Sequence, residues 1–192
     1  METAINNLNW MAFNLFLAVL GVLFGWLYYY SKKKVFSIAF FILWILFLPN
    51  TIYLITDLQH IYKQWSNPYL EVQLTLIVQY FLIALLGITT YLMAMYPIDK
   101  VFTNLHLKRK PKVKLTLLIT INIFTAFALI LGKFQRTHSW YVFTDFLRVL
   151  SDIKEVVTNP ILFSLVLFFA FVINLTYFAF KKVIPISARI KK

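Results

Sequence analysis

Long apolar runs alternate with short polar segments along the chain, and each run is long enough to cross a bilayer as a helix. A hydrocarbon core of about 30 Å requires roughly 20 apolar residues in one helix. The runs predict five transmembrane helices, at about residues 9–30, 35–56, 69–95, 115–131 and 159–180. No repeat, linker or low-complexity segment separates them. We therefore predict an all-α integral membrane protein whose residues 1–192 form a single transmembrane domain.

Proline and glycine mark the expected ends of several spans. Pro97 is expected to end span three, Gly132 to stop span four, and Asn159-Pro160 to open span five. Gly21 and Gly25 form a G-x-x-x-G pattern in span one, which favours close helix packing, although glycine is common in spans in any case.

Residues 141–157 are amphipathic rather than uniformly apolar. One face is charged and the other is apolar: Asp145, Arg148, Asp152 and Glu155 on the first, and Phe146, Val149, Leu150, Ile153 and Val157 on the second. This pattern predicts an interfacial helix lying in the membrane surface. A short helix packed over the spans is the alternative, and periodicity does not separate the two.

Composition agrees with the membrane class, since the chain is 61% hydrophobic and 14% charged. The net charge of +12 is distributed by side of the membrane. Fourteen of the 19 lysines and arginines fall on one side of the predicted spans, and cytoplasmic loops are enriched in these residues. We expect the N-terminus to be extracytoplasmic and the C-terminus cytoplasmic in a cell membrane. This distribution explains the charge without nucleic acid.

A polar stretch interrupts the end of span two, at residues 48–60. If the helix continues, Asn50, Tyr53, Asp57 and His60 lie at i, i+3, i+7 and i+10, on one face. An ionisable group in hydrocarbon costs about 2.5 kcal/mol or more, so such a stripe usually faces a protein interior or a wet cavity. Asn50 alternatively satisfies carbonyls exposed by Pro49.

A second dense cluster of functional side chains follows span four. It contains Lys133, Arg136, His138, Ser139 and Trp140, and the predicted topology puts it on the same side as Asp57 and His60. We therefore expect an extracytoplasmic polar site built from the ends of spans two, three and four.

The two clusters resemble one known family. The segment from Leu48-Pro49-Asn50 through Thr56-Asp57 to His60, followed by Gly132-Lys133-Phe134, Arg136 and Ser139-Trp140, is similar to a family of uncharacterised bacterial multi-pass membrane proteins, a domain of unknown function. Lys133, His138 and Tyr141 depart from the family pattern. The resemblance implies no activity; it implies that the two motifs belong together.

The candidate residues fit more than one kind of site. As an acid-base site, Asp57, His60 and His138 are the catalytic candidates. The ligand-binding candidates are Asn50, Tyr53, Lys133, Arg136, Ser139 and Trp140, with the cations suited to a phosphate or carboxylate. Asp57, His60 and His138 also have atoms that zinc accepts. Asp-x-x-His alone is a weak pattern, however, so no metal site is predicted and any cofactor is unknown.

Two functions follow from these alternatives. The first is a binding, assembly or accessory protein of the cell envelope, in which the polar groups form a network with Arg136 paired to Asp57 or Asp145. The second is a membrane-embedded enzyme acting on a lipid-linked or phosphate-bearing envelope substrate. Whether the protein is an enzyme stays open. The expected partners are the lipid bilayer, a lipid-linked or anionic ligand at the outer face, and other membrane proteins.

Overall fold

The computed structural model describes residues 2–65, 69–104, 110–138 and 140–181. These residues form eight α-helices: α1 (Glu2–Tyr30), α2 (Lys34–Thr56), α3 (Gln59–Gln64), α4 (Leu70–Asn104), α5 (Pro111–Phe134), α6 (Tyr141–Thr144), α7 (Phe146–Thr158) and α8 (Pro160–Phe180). Five helical stretches are long and apolar enough to cross a membrane, namely α1, α2 with α3, α4, α5 and α8. The predicted fold class is therefore confirmed.

The predicted end of span three is wrong, because α4 continues through Pro97 to Asn104. Proline removes one backbone hydrogen bond from a helix interior. Here the extra residues gain tertiary contacts, since Ile98 and Phe102 are buried in the core. Asp99 also pairs with Lys114, at 2.9 Å between Oδ1 and Nζ. Packing and this ion pair outweigh the local cost of proline.

The predicted bounds of span four are too narrow. Helix α5 begins at Pro111, where the missing N–H belongs to the first turn and costs no hydrogen bond. It continues past Gly132 to Phe134. Gly132 has an ordinary negative φ, so nothing at this position stops the helix.

The predicted interfacial helix is divided into α6 and α7. The break lies at Asp145, whose backbone leaves the helical region (φ −150°, ψ 64°) and whose carboxylate accepts a hydrogen bond from the Arg148 N–H. Asp145 is thus an N-cap, a role that removes it from the predicted charged face. Val149 and Val156 of α7 are buried. The other apolar side is exposed, at Phe146, Leu147, Leu150 and Val157.

Close approach of α1 to its neighbours explains the G-x-x-x-G pattern. A methyl group on Gly21 would lie 3.1 Å from the Phe47 carbonyl oxygen of α2. One on Gly25 would lie 3.0 Å from the Ala94 carbonyl oxygen of α4 and 3.0 Å from Trp44 Cδ1 of α2. The motif packs α1 within the bundle, as small residues do between membrane helices.

A buried polar chain links three helices in the middle of the bundle. The Tyr91 hydroxyl of α4 donates to Asn122 Oδ1 of α5 at 2.7 Å. Asn122 Nδ2 in turn donates to Asn174 Oδ1 of α8 at 2.9 Å. Each of these three side chains is hydrogen-bonded, and Tyr91 and Asn122 are fully buried. This hydrogen-bond network therefore fixes α5 and α8 against α4.

Candidate ligand-binding site

The local structure near Pro49 explains part of the polar stretch. Asn50 Nδ2 donates to the Phe47 carbonyl at 3.2 Å, and the Thr51 hydroxyl donates to the Leu48 carbonyl at 2.7 Å. Asn50 thus donates to a backbone carbonyl of the preceding turn, although the carbonyl that Pro49 leaves without its usual partner is that of Ile45. The side-chain oxygen of Asn50 has no hydrogen-bond partner among the residues that the structure describes.

The helix does not continue regularly from Tyr53 to His60, so the predicted single face is only partly formed. Helix α2 ends at Thr56, and the next turn has three-residue hydrogen bonds, including His60 N–H to the Asp57 carbonyl at 2.9 Å. A tighter turn rotates the following side chains relative to an α-helix. His60 consequently packs against Trp10 of α1, with ring centroids 5.5 Å apart.

Asp57 forms a buried clasp between α1, α2 and α5. Its carboxylate accepts a hydrogen bond from Asn14 Nδ2 at 2.9 Å and lies 3.6 Å from Lys133 Nζ. Lys133 Nζ also donates to the Thr56 carbonyl and hydroxyl, at 2.9 and 3.0 Å, and lies over the Tyr53 ring. The Asp57 side chain is only 2% exposed. The Asp57 carboxylate and the Lys133 ammonium group are therefore both bound by other protein groups.

The predicted pairing of Arg136 with Asp57 or Asp145 is wrong. Lys133, in the last turn of α5, reaches Asp57 directly. Asp145 instead caps α7 through the Arg148 N–H. Arg136 lies beyond the end of α5 and is exposed.

Arg136 has an unusual backbone conformation, with φ of 54°. The chain turns back at this residue, because the N–H groups of Gln135 and Thr137 both donate to the Leu131 carbonyl. Helices often end on such a left-handed residue, but it is usually glycine, and a larger side chain costs roughly 1–2 kcal/mol. Within residues 2–65, 69–104, 110–138 and 140–181, no hydrogen bond or ion pair occupies the Arg136 guanidinium.

A groove of about 570 Å³ lies between α1, α2 and α5 and is covered at one end by α6, α7 and the segment before them. Its walls are mainly apolar and include Phe13, Leu17, Ile45, Leu48, Ile121, Phe124, Phe127, Ala128, Leu131, Val149 and Ile153. Phe13 and Phe124 are 54% and 65% exposed, so the groove opens sideways between α1 and α5. The groove opens onto the outer surface of the helix bundle rather than into its interior. We call it the lateral groove.

One end of the lateral groove is polar. Asn14, Asn50, Tyr53 and His138 line it there, beside Trp140. The two sequence motifs therefore meet at this groove. The sequence predicted that span three contributes to the site. The described lining residues instead come from α1, α2, α5, α6, α7 and the segment between α5 and α6, and none belongs to α4. Helix α4 instead packs against α1 and α2.

The two candidate histidines lie in different surroundings. The His138 ring stacks on Trp140, with centroids 4.4 Å apart and planes 6° apart, and meets the Tyr141 ring edge-on at 5.2 Å. His60 packs on Trp10 on the other side of the Asp57 clasp. No hydrogen bond joins either imidazole to a carboxylate in the described part of the chain, and no group of three metal-ligating side chains occurs there.

Ser139 lies outside the described residues. Two site residues were missed by sequence reasoning, Asn14 and Thr137. Asn14 gave a signal, because it is an amide within an otherwise apolar run. Thr137 gave none, since its hydroxyl reaches Asp152, which is distant along the chain.

The fold and the groove define a multi-pass α-helical membrane protein. The chain belongs to the family described as Protein of unknown function (DUF1361), whose model matches residues 13–176. No curated protein and no solved structure matches the chain. The family is therefore known and its activity has to be inferred from the site.

Proposed function

We propose that this is a non-catalytic lipid-binding protein of the cell envelope, which holds one amphiphilic molecule in the lateral groove with its polar end at the extracytoplasmic surface. In this role it serves as a binding, assembly or accessory protein for envelope lipids or for other membrane proteins. The observation that carries the proposal is the sideways-open groove, apolar along its length and polar at one end.

The size of the groove matches one leaflet of a bilayer. Its lining on α5 extends from Ile121 to Gly132, which at 1.5 Å per residue is about 16 Å. Half of a hydrocarbon core of about 30 Å is about 15 Å. An acyl chain lying along α5 would thus have its head at the polar end of the groove.

The charge distribution supports an extracytoplasmic position for that polar end. The lysine-rich segments adjoin the opposite end of the helices, and such segments are typical of the cytoplasmic side. The exposed apolar face of α7, with Leu147 79% exposed, suits a helix immersed in the headgroup region. Trp140 beside the groove also suits that depth.

An enzyme acting through Asp57 has less support. A general base must come within hydrogen-bond reach of the proton it takes. The Asp57 side chain is only 2% exposed, lies against Asn14 and Lys133, and is not among the residues that line the groove. Neither histidine ring has a carboxylate partner to orient it within the described residues. The Asp57 clasp instead joins helices, and the groove remains available for a ligand.

Filling the groove tests the function. Ala128 lines the groove and is partly buried, so Ala128→Trp should displace the lipid tail. Ala39→Trp, on the exposed surface of α2, is the matched control. After purification in mild detergent, mass spectrometry should find about one tightly held lipid per protein in the parent and the control. The Ala128→Trp protein should lack it.

Two results would contradict the proposal that the groove binds a lipid. If Ala128→Trp elutes as a folded protein and retains the same lipid content as Ala39→Trp, the groove is not a lipid site. If the parent protein carries no lipid beyond what detergent exchange removes, the same conclusion follows.

A further inference from the structure

A cation that none of the described residues binds lies next in the chain to the polar end of the lateral groove. Lys133 is held by Asp57 and Thr56. Arg148 packs over the Tyr141 ring. Arg136, in contrast, has no hydrogen bond or ion pair in the part of the chain that the structure describes, although it is exposed at the end of α5.

Arg136 adjoins the groove through its chain neighbours. Thr137 and His138, the next two residues, line the groove, and so does Tyr53 of α2. The Tyr53 hydroxyl and both His138 ring nitrogens have no hydrogen-bond partner within residues 2–65, 69–104, 110–138 and 140–181. Two groups able to bind oxygen atoms, Tyr53 and His138, thus line one end of an apolar groove, and Arg136 directly precedes the segment that carries His138.

We propose, building on the lipid-binding function above, that Arg136 binds the phosphate diester of an anionic membrane lipid whose chain occupies the lateral groove, with Tyr53 and His138 as further donors. Arginine suits this ligand because its planar guanidinium donates two parallel hydrogen bonds to phosphate oxygens. The left-handed backbone of Arg136 is consistent with this role, since a residue kept in a sparsely populated conformation often serves a binding site.

The acidic groups Asp57 and Asp152 already have protein partners, which favours an anionic headgroup over a zwitterionic one. A choline or ethanolamine head carries a cation, for which an unpaired carboxylate is the natural partner. Asp57 is enclosed by Asn14 and Lys133. Asp152 accepts a hydrogen bond from Thr137 and lies 3.9 Å from the Arg148 guanidinium. Neither carboxylate is therefore free to pair with a cationic head, whereas Arg136 has no ion pair among the described residues.

Competition between two lipids with identical chains tests this assignment. The full-length protein is exchanged into detergent that contains equimolar phosphatidylglycerol and phosphatidylcholine, and native mass spectrometry measures the ratio of the two singly bound forms. The parent protein should favour phosphatidylglycerol. Arg136→Gln should lose about tenfold of that preference, as expected for one charge-assisted contact, and should still bind phosphatidylcholine.

Two further variants make the result specific. Lys154→Gln removes a positive charge from the exposed surface of α7, outside the groove, and should retain the preference. Arg136→Gly fits the left-handed backbone without strain. It therefore folds even if Arg136→Gln does not, and it should lose the preference as fully.

Different results would overturn the assignment of Arg136 and the lipid-binding function. The assignment of Arg136 is overturned by a parent protein that binds both lipids equally, by an Arg136→Gly protein that keeps the preference, or by a Lys154→Gln protein that loses it as fully. Lipid binding in the groove stands in each of these cases. If Ala128→Trp binds both lipids as the parent does, the lipid-binding function itself fails.

Discussion

Replacing Lys133 with methionine should destabilise the bundle strongly, because it leaves a charged partner buried. Methionine has nearly the length of lysine but no charge. In the Lys133→Met protein, Asp57 keeps the hydrogen bond from Asn14 and loses its cation, while its side chain stays almost fully enclosed. Removing one partner of a buried ion pair costs about 3–5 kcal/mol.

The expected cost lies near the lower end, at about 3 kcal/mol, since Asn14 still donates to the Asp57 carboxylate. The second variant, Asp57→Asn, removes the orphaned charge as well. The loss in free energy of unfolding in the double variant should therefore be smaller than the sum of the losses in the two single variants, by at least about 1 kcal/mol. Such coupling is the signature of groups that act as one clasp.

Unfolding in mixed micelles, followed by circular dichroism as a denaturing detergent is added, measures these differences. Lys112→Met removes a lysine from the exposed first turn of the same helix and should change the free energy of unfolding by about 0.5 kcal/mol or less. The reasoning is refuted if Lys133→Met costs no more than Lys112→Met. It is also refuted if the effects at Lys133 and Asp57 are additive within about 0.5 kcal/mol.

Two further predictions concern packing and orientation. Gly25→Ala should cost about 1–3 kcal/mol, because the new methyl group meets the Ala94 backbone at 3.0 Å; Gly132→Ala, whose methyl group has no neighbour closer than 3.6 Å, should be neutral or stabilising in the same unfolding assay. Since the chain has no cysteine, a membrane-impermeant maleimide should label Ser151→Cys in intact cells and Ser31→Cys only after permeabilisation. The opposite labelling would place the lateral groove's polar end in the cytoplasm.

The long apolar helices could be predicted from sequence because bilayer thickness sets the length of an apolar run. Span two was expected at residues 35–56, and helix α2 is Lys34–Thr56; span five was expected at residues 159–180, and helix α8 is Pro160–Phe180. The end of α4 could not be predicted. Whether the helix continues past Pro97 depends on the contacts of Ile98 and Asp99, which are made with distant parts of the chain.

The site was predicted as a region rather than as a set of contacts. The two motifs do meet, since Asn50 and Tyr53 from one and His138 from the other line the same groove. Which residue pairs with Asp57 depends on how far each side chain reaches. In the sequence, Lys133 and Arg136 are equally plausible as that partner. The turn at Arg136 has no glycine to signal it. Its left-handed backbone appears only in the structure.

The placement of polar contacts explains why the lateral groove persists. Membrane helices gain no hydrophobic free energy by associating, so packing and hydrogen bonds must hold them together. Helix α5 has such contacts at three depths: Lys133 with Asp57 at one end, Asn122 with Tyr91 in the middle, and Lys114 with Asp99 at the other end. Because α5 is held to α2 at one end, and to α4 in its middle and at the other end, these contacts oppose a sideways shift of α5 that would close the space beside α1. A groove kept open in this way suits the lipid chain that we propose as its ligand.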